Sequence, residues 1–359
     1  ALQIQPHYEV AIANRRVVLQ KQAHELFNQG AAFDNDKQSA AALDCYERAL
    51  AIDPEHSAAN LNTALVLEEM GRLEEAAARF IDSARIDPSY VDGLNRAGDI
   101  LNVELGRHQE ALDCYDQSLD IKPDQRSVRW HRSHSLLALG RYAEGWPDYD
   151  AKRTMTHGDG TGWIDFAQPQ WRGEPIAGKR ILLWCEQGFG DVFQFCRYVR
   201  LVRDKGATVF LLVQDKALRL FQTVFAKDDI TLILGSAQAK PFDFQCPLLG
   251  LPLACQTNSL EDIPKQNPYL TADPSDVAVW QQRLKSTSEA DEVGGVVGPR
   301  VGVVWASGYR PDNPHWELMN LRSLHLSQLA ALRAASESMG AQFFSLQMEE
   351  PAKIGRAHV

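Results

Sequence analysis

The residues best placed to do chemistry fall in one short stretch. In residues 181–191, ILLWCEQGFGD, an apolar run breaks into Gly-x-Gly-Asp, and a helical pattern follows at once. That order puts the Asp191 carboxylate at the carboxyl end of a strand and the amino end of a helix, where open α/β sheets bind ligands. Asp is also a favoured N-cap, so a purely capping Asp191 is the alternative. Gly188 and Gly190 would let the backbone turn tightly and approach a substrate, or serve the turn alone. His131 and His134, at i and i+3 of a helical pattern, could share a metal. No carboxylate or cysteine at ligand spacing accompanies them, so the expectation is two solvent-facing histidines and no metal site.

The elements that must position Asp191 are legible on both sides of it. After Lys179 the pattern alternates: strand RILLWC, helix Asp191 to Asp204, strand ATVFLLV, helix DKALRLFQTVFA, strand ITLIL, and a short FDFQC before PLLGLP. Strands alternating with helices of about a dozen residues predict a parallel, doubly wound sheet. PSDVAVWQQRLKST is an amphipathic helix, and the polar, Gly-rich STSEADEVGGVVGP after it has a hinge composition. RVGVVW then opens a second strand series, with the helix SLHLSQLAALRAASESM and the strand QFFSLQ. Two Rossmann-like lobes on a hinge would leave a cleft between them.

Residues 7 to 150 are of another kind. Pro54, Pro88 and Pro123 close successive helical patterns at spacings of 34 and 35, the period of a two-helix solenoid unit. Ala76 and Ala111 mark close helix approaches, and Tyr46, Phe80, Tyr115 and Tyr149 recur four positions on. Gly71, Gly106 and Gly140 end the first helix of successive units, where positive φ is needed. One lengthened unit around Gly30 to Ser39 departs from the period. Tryptophan first occurs at Trp130. The Gly-, Pro- and Trp-rich text from Trp146 to Lys179 predicts an ordered connector packed by Trp163 and Trp171, so that both halves move largely as one body.

Composition bounds the function. At 359 residues and 45% hydrophobic, the chain holds two or three globular domains. With 37 basic against 47 acidic residues, net charge −10, it has no basic stripe for nucleic acid. Six scattered cysteines without C-x-x-C predict buried free thiols in a reducing compartment, hence a cytoplasmic location. No run approaches a membrane span, and the amino-terminal residues show no charged-then-apolar leader pattern.

The helical period with its Ala, Gly, aromatic and Pro positions matches the tetratricopeptide repeat pattern. Behind it, EQGFGD with QFCRY, FDFQCPLLGLP, NPYLTADP and RVGVVWASG follow in order. The whole resembles bacterial repeat-containing glycosyltransferases of the GT-B fold. Their catalytic lobes are similar to ADP-heptose:lipopolysaccharide heptosyltransferases and, more distantly, O-GlcNAc transferase. The resemblance implies an inverting, metal-independent transfer of a sugar from a nucleotide-diphosphate sugar to an acceptor hydroxyl, with no cofactor. Asp191 matches the family's proposed general base, a role a cleft carboxylate can fill. Glu186 and Gln187 would bind acceptor hydroxyls. Ser307 and Gly308 would meet the donor diphosphate, and Arg322 with Ser323 would neutralise the leaving group in place of a metal. Arg310 and His315 are secondary candidates in a loop that departs from similar sequences.

The expected organisation is therefore a repeat array over 1–150, a connector over 151–179, a first GT-B lobe over 180–285, a hinge over 286–299 and an incomplete donor lobe over 300–353. The closing IGRAHV, within 354–359, coincides with one reading frame of a common sequencing-library adapter, so a truncated fragment with an artefactual tail is expected. The rival reading is a non-catalytic adaptor whose repeats hold a protein or peptide partner. A dinucleotide-dependent oxidoreductase fits less well, because Phe193 stands where the G-x-G-x-x-G fingerprint needs its third glycine.

Overall fold

The computed structural model describes residues 9–151, 166–185, 188–235, 241–289, 300–303 and 342–345. Eight helices form four successive pairs: α1 (Glu9–Asn35) with α2 (Ser39–Ile52), α3 (Ser57–Glu69) with α4 (Leu73–Ile86), α5 (Val91–Asp99) with α6 (His108–Ile121), and α7 (Arg126–Ala138) with α8 (Tyr142–Tyr149). No strand occurs among the described residues before 150.

Size complementarity holds each pair together. Tyr46, Phe80 and Tyr115 on the second helices are fully buried, and each needs a small residue on the first helix of its pair. Gly30 and Gly98 fill that need: a Cβ on Gly30 would stand 2.6 Å from the Tyr46 ring, and one on Gly98 2.5 Å from the Tyr115 ring. Ala42, Ala76 and Ala111, all without exposed surface, make the reciprocal close approach.

The first pair corrects the expectation of a lengthened unit around Gly30 to Ser39. Lys37, at φ 57°, occupies the left-handed position that Gly71 (74°), Gly106 (65°) and Gly140 (75°) take in the later pairs. The unit is therefore in register, and its turn was hidden because a lysine does the work of a glycine. The one real irregularity lies later. Residues Ile100–Glu104 form a π-helical turn closed by Leu105 N–H to Ile100 O at 3.1 Å. That wider turn absorbs the extra residue in the 35-residue spacing of Pro88 and Pro123.

The connector is stitched to both neighbours. Trp171 is buried, its Nε1 donates to Glu174 O at 2.7 Å, and its backbone N–H donates to Gln245 O at 2.8 Å. Arg172 pairs with Asp150, and Gln170 Nε2 donates to Asp150 Oδ1 at 3.2 Å. Trp163 lies outside the described residues.

The sheet contains β1 (Arg180–Trp184), β2 (Thr208–Leu212), β3 (Ile230–Ile233) and β4 (Phe244–Pro247) in the order β3-β2-β1-β4, with every pairing parallel. Both faces are covered, as parallel sheets require. Ile181, Leu183, Val209 and Leu211 pack into the larger core, and Leu182, Trp184, Phe210 and Leu212 form a second cluster with Phe166 and Phe242. The predicted helix from Asp191 to Asp204 is three pieces: α9 (Phe189–Phe195), a 3₁₀ turn (Cys196–Tyr198) and α10 (Val199–Asp204). The strand β2 leads to α11 (Asp215–Val224), and α12 (Leu251–Ala254) follows β4.

Repeats, connector and this sheet belong to one compact unit, residues 1–273, and residues 274–359 form a second. The second unit contains α13 (Pro274–Glu289), which runs through the first residues of the expected hinge, and the parallel pair β5 (Arg300–Val303) and β6 (Gln342–Ser345). The unit boundary thus assigns α13 to the second unit, not to a lobe ending at 285.

Candidate functional site

Two surfaces of the first unit carry chemistry. The first is a face shared by α3, α5 and α7. Residues at helical spacing, Asn62, Leu65 and Glu68 on α3, Asp92, Asn95 and Asp99 on α5, and Trp130, His131 and His134 on α7, lie on one side of their helices. Polar rungs tie neighbouring pairs together across it. Asn62 Nδ2 donates to Tyr46 Oη at 3.1 Å, Arg96 pairs with Glu68 at 2.5 Å, and Asn95 Nδ2 donates to Gln125 Oε1 at 3.1 Å. Asp99 Oδ1 accepts from Tyr115 Oη and faces His131 Nδ1, both at 2.7 Å. Burial, then the Asp99 charge, pushes the Tyr115 hydroxyl far up, so it stays a donor.

His131 therefore corrects its own expectation. It is half-buried against Asp99 and the Trp130 ring, while His134 is exposed. Among the described residues no group of His, Cys, Asp and Glu has the arrangement of a metal site.

An aromatic run links this face to the α/β part, a feature that sequence reasoning missed. Ring centroids step from Trp130 to His134 (4.7 Å), His134 to Tyr149 (6.0 Å), Tyr149 to Trp146 (6.0 Å) and Trp146 to Phe195 on α9 (6.1 Å). The abrupt onset of tryptophan at Trp130 was the available signal. Trp146 and Tyr149 also meet Pro247, Leu249 and Leu253 around a cavity of only about 20 Å³, so α8 packs closely on the sheet unit.

The second surface is the carboxyl edge of the sheet. The strand order places β2 and β3 on one side of β1 and β4 on the other, so the topological switch point lies between β1 and β4. Asp191 sits at that edge, half-buried in the first turn of α9. Gly188 is the N-cap, which corrects the capping alternative for Asp191: the helix begins two residues earlier than its apolar pattern suggests. Among the described residues the Asp191 carboxylate makes no hydrogen bond or ion pair.

The glycines also differ from expectation. Gly188 has φ −66°, open to any residue, and Gly190 lies within α9, so neither is required by backbone strain. Their surroundings are the informative part. A Cβ on Gly190 would meet nothing within 4 Å, and one on Gly188 only Asp191 Oδ2 at 3.9 Å. Among the described residues both α-carbons thus border open space.

Glu186, Gln187, Ser307, Gly308, Arg310, His315, Arg322 and Ser323 lie outside the described residues. Asp191, Gly188 and Gly190 are the predicted site residues that the structure brings together. All six thiols are free; Cys45, Cys114, Cys196 and Cys246 are buried, whereas Cys185 and Cys255 are half-buried, and desolvation pushes Cys114, Cys196 and Cys255 up to about 12.

Residues 27–91 and 91–125 match the tetratricopeptide repeat family. Protein FlbA of Caulobacter vibrioides is 27% identical over 300 residues, covering 78% of this chain and 48% of FlbA. The chain thus spans about half the length of that relative. The aligned stretch is longer than the whole helical region and so extends into the α/β part. Among solved structures, the first repeat domain of Spaghetti (RPAP3) bound to an HSP90 peptide is 20% identical, with TM-score 0.30, covering 33% of this chain and 94% of that one. YrrB, described as a repeat protein with an unusual peptide-binding site, is 20% identical with TM-score 0.32, covering 35% and 64%. The helical half is a tetratricopeptide repeat solenoid, followed by a small parallel α/β sheet. No helix of the described residues is long and apolar enough to cross a membrane.

Proposed function

We propose that this chain is a protein-interaction scaffold whose α3–α5–α7 face holds a peptide segment of a partner. The observation that carries the reading is the continuity of that face: Glu68–Arg96 and Asp99–His131 bridge successive repeats across it. A surface so held is ready to bind an extended chain without ordering itself first. Its charge is mainly acidic (Glu68, Asp92, Asp99) and its α7 end aromatic, which suits a basic segment with an apolar anchor. Site-specific photo-crosslinkers at Asp92 and His134 on this face, and at the exposed Gln117 of α6, test it. Partner capture at the first two and not the third supports the face, and equal capture at all three refutes it.

A second reading attaches to the sheet edge, and it is favoured by the Asp191 carboxylate, which makes no hydrogen bond or ion pair among the described residues. Asp191 would accept the proton of an acceptor hydroxyl as that oxygen attacks the anomeric carbon of a nucleotide-diphosphate sugar, the anomeric C–O bond breaking and the nucleoside diphosphate leaving with its electron pair, without a cofactor. Gly188 and Gly190 leave room for the acceptor. In the residues outside the described set, Glu186 and Gln187 would bind its hydroxyls, while Ser307, Gly308, Arg322 and Ser323 would hold the donor. The test is transfer by a chain that includes the remaining length of relatives such as FlbA. Asp191→Asn should lower kcat by roughly 10²- to 10⁴-fold with donor affinity nearly unchanged. Unchanged turnover in that variant refutes the assignment.

A further inference from the structure

We infer a second binding site, on the second helices of the repeats, that takes an acidic side chain of a peptide on Arg79. It extends the scaffold reading to a different surface. A cleft of about 370 Å³ opens between α2 and α4, floored by Leu50, Ala51 and Pro54 and edged by Arg79, Arg85 and Glu47.

Its origin is visible when the first helices are aligned on Gly30, Ala64 and Gly98 and the second helices on the rings of Tyr46, Phe80 and Tyr115. The position of Arg79 is Cys45 in the first pair and Cys114 in the third, both buried. The position of Asn60 is Leu26 in the first and Leu94 in the third. The second pair alone of these three has an amide and a guanidinium where the others have a leucine and a cysteine. Burying such groups is unfavourable unless they are satisfied. Asn60, 2% exposed, is satisfied: Nδ2 donates to Pro54 O at 3.1 Å and Oδ1 accepts from Arg79 Nη1 at 3.4 Å.

Arg79 is not. That long contact is its one hydrogen bond among the described residues, and no carboxylate of those residues lies within ion-pair distance of it. Asp82, also in the cleft wall, is held by Arg85 at 3.5 Å. Arg79, half-buried and with most of its donors unused among the described residues, is suited to receive an oxyanion in a bidentate grip. The acids in the wall select its type. Glu47 and Asp82 would repel a dianionic phosphate more strongly than a single carboxylate, and the aliphatic floor suits the flanking residue of a peptide.

The direct experiment is an amide and arginine Nε–H NMR titration of the full chain with acetyl-Leu-Glu-Leu-amide, with acetyl-Leu-Gln-Leu-amide as the uncharged probe. The expected result is a saturable response at Leu50, Ala51, Asn60 and Arg79 with the Glu peptide, at least about tenfold weaker with the Gln peptide. Arg79→Gln should abolish it, and Arg48→Gln, outside the cleft, should not. The paired change Asn60→Leu with Arg79→Cys restores the pattern of the other repeats. It should raise the melting temperature while abolishing the response, giving a well-folded comparator. No response at millimolar peptide, equal response to both peptides, or persistence in the paired variant overturns the site. The crosslinking at the α3–α5–α7 face is independent of each of these outcomes.

Discussion

Replacing Gly98 by alanine tests the packing rule of the repeats at its tightest point. At an open helical position Gly→Ala stabilises by about 1 kcal/mol, because the unfolded chain has fewer states to lose. At Gly98 the new methyl would lie 2.5 Å from Tyr115 Cε1 and 2.9 Å from Cδ1 and Cζ. Carbon atoms prefer about 3.5–4.0 Å, so the ring must retreat by roughly 1 Å. Tyr115 has no exposed surface, and its hydroxyl is held by Asp99 at 2.7 Å, so retreat stretches that bond and presses on a close-packed core. Overpacking costs about 1–3 kcal/mol, and a weakened, partly buried hydrogen bond adds about 1 kcal/mol. After the helical gain, the net loss should be about 1–3 kcal/mol. Urea unfolding followed by circular dichroism reads it directly. Gly190→Ala, where the methyl meets open space, serves as the reference and should be neutral or slightly stabilising. Adding Tyr115→Phe to Gly98→Ala should recover part of the loss, since the second repeat pairs Ala64 with Phe80 at the same two positions. Gly98→Ala as stable as the parent chain would refute the reasoning.

Other perturbations test separate links. Lys37→Gly should raise stability by roughly 0.5–1 kcal/mol by relieving a left-handed lysine; a loss on urea unfolding would show that the lysine side chain holds the turn. Arg132→Met removes the partner of Asp148, whose side chain is only 7% exposed, at 2.6 Å. The stranded carboxylate should destabilise the last repeat by about 2–4 kcal/mol, and adding Asp148→Leu should return most of it in a double-mutant cycle. Burial raises the Cys114, Cys196 and Cys255 thiols from 9 to about 12. Between those values the folded chain holds more protons than the unfolded one, so this contribution is complete below pH 9 and is lost as pH rises toward 12. Iodoacetamide labelling at pH 8, read by mass spectrometry, should be slow for these three thiols until the chain unfolds; rapid labelling of Cys114 in the folded chain would contradict their burial.

Local rules determined much of this protein. The helix pairs follow from a period of small and aromatic residues, and the parallel strands from apolar runs of β-branched and aliphatic residues between helical patterns. Both are short-range signals, which one sequence displays. The position of Asp191 at the strand end was legible for the same reason. What failed was also local, where one residue type stood in for another: Lys37 for a turn glycine, and Gly188 for a side-chain N-cap.

Other features belong to tertiary structure alone. That Gly98 must be glycine depends on where a ring 17 positions later comes to rest. The shared hold of Tyr115 and His131 on Asp99 joins three helices, and the aromatic run from Trp130 to Phe195 joins the repeats to the helix that carries Asp191. The switch point beside Asp191 exists because β4 pairs with β1 across two intervening strands. Periodicity encodes which side of an element is apolar, but the partner it meets is selected by packing among elements distant in the chain, where shape and volume decide.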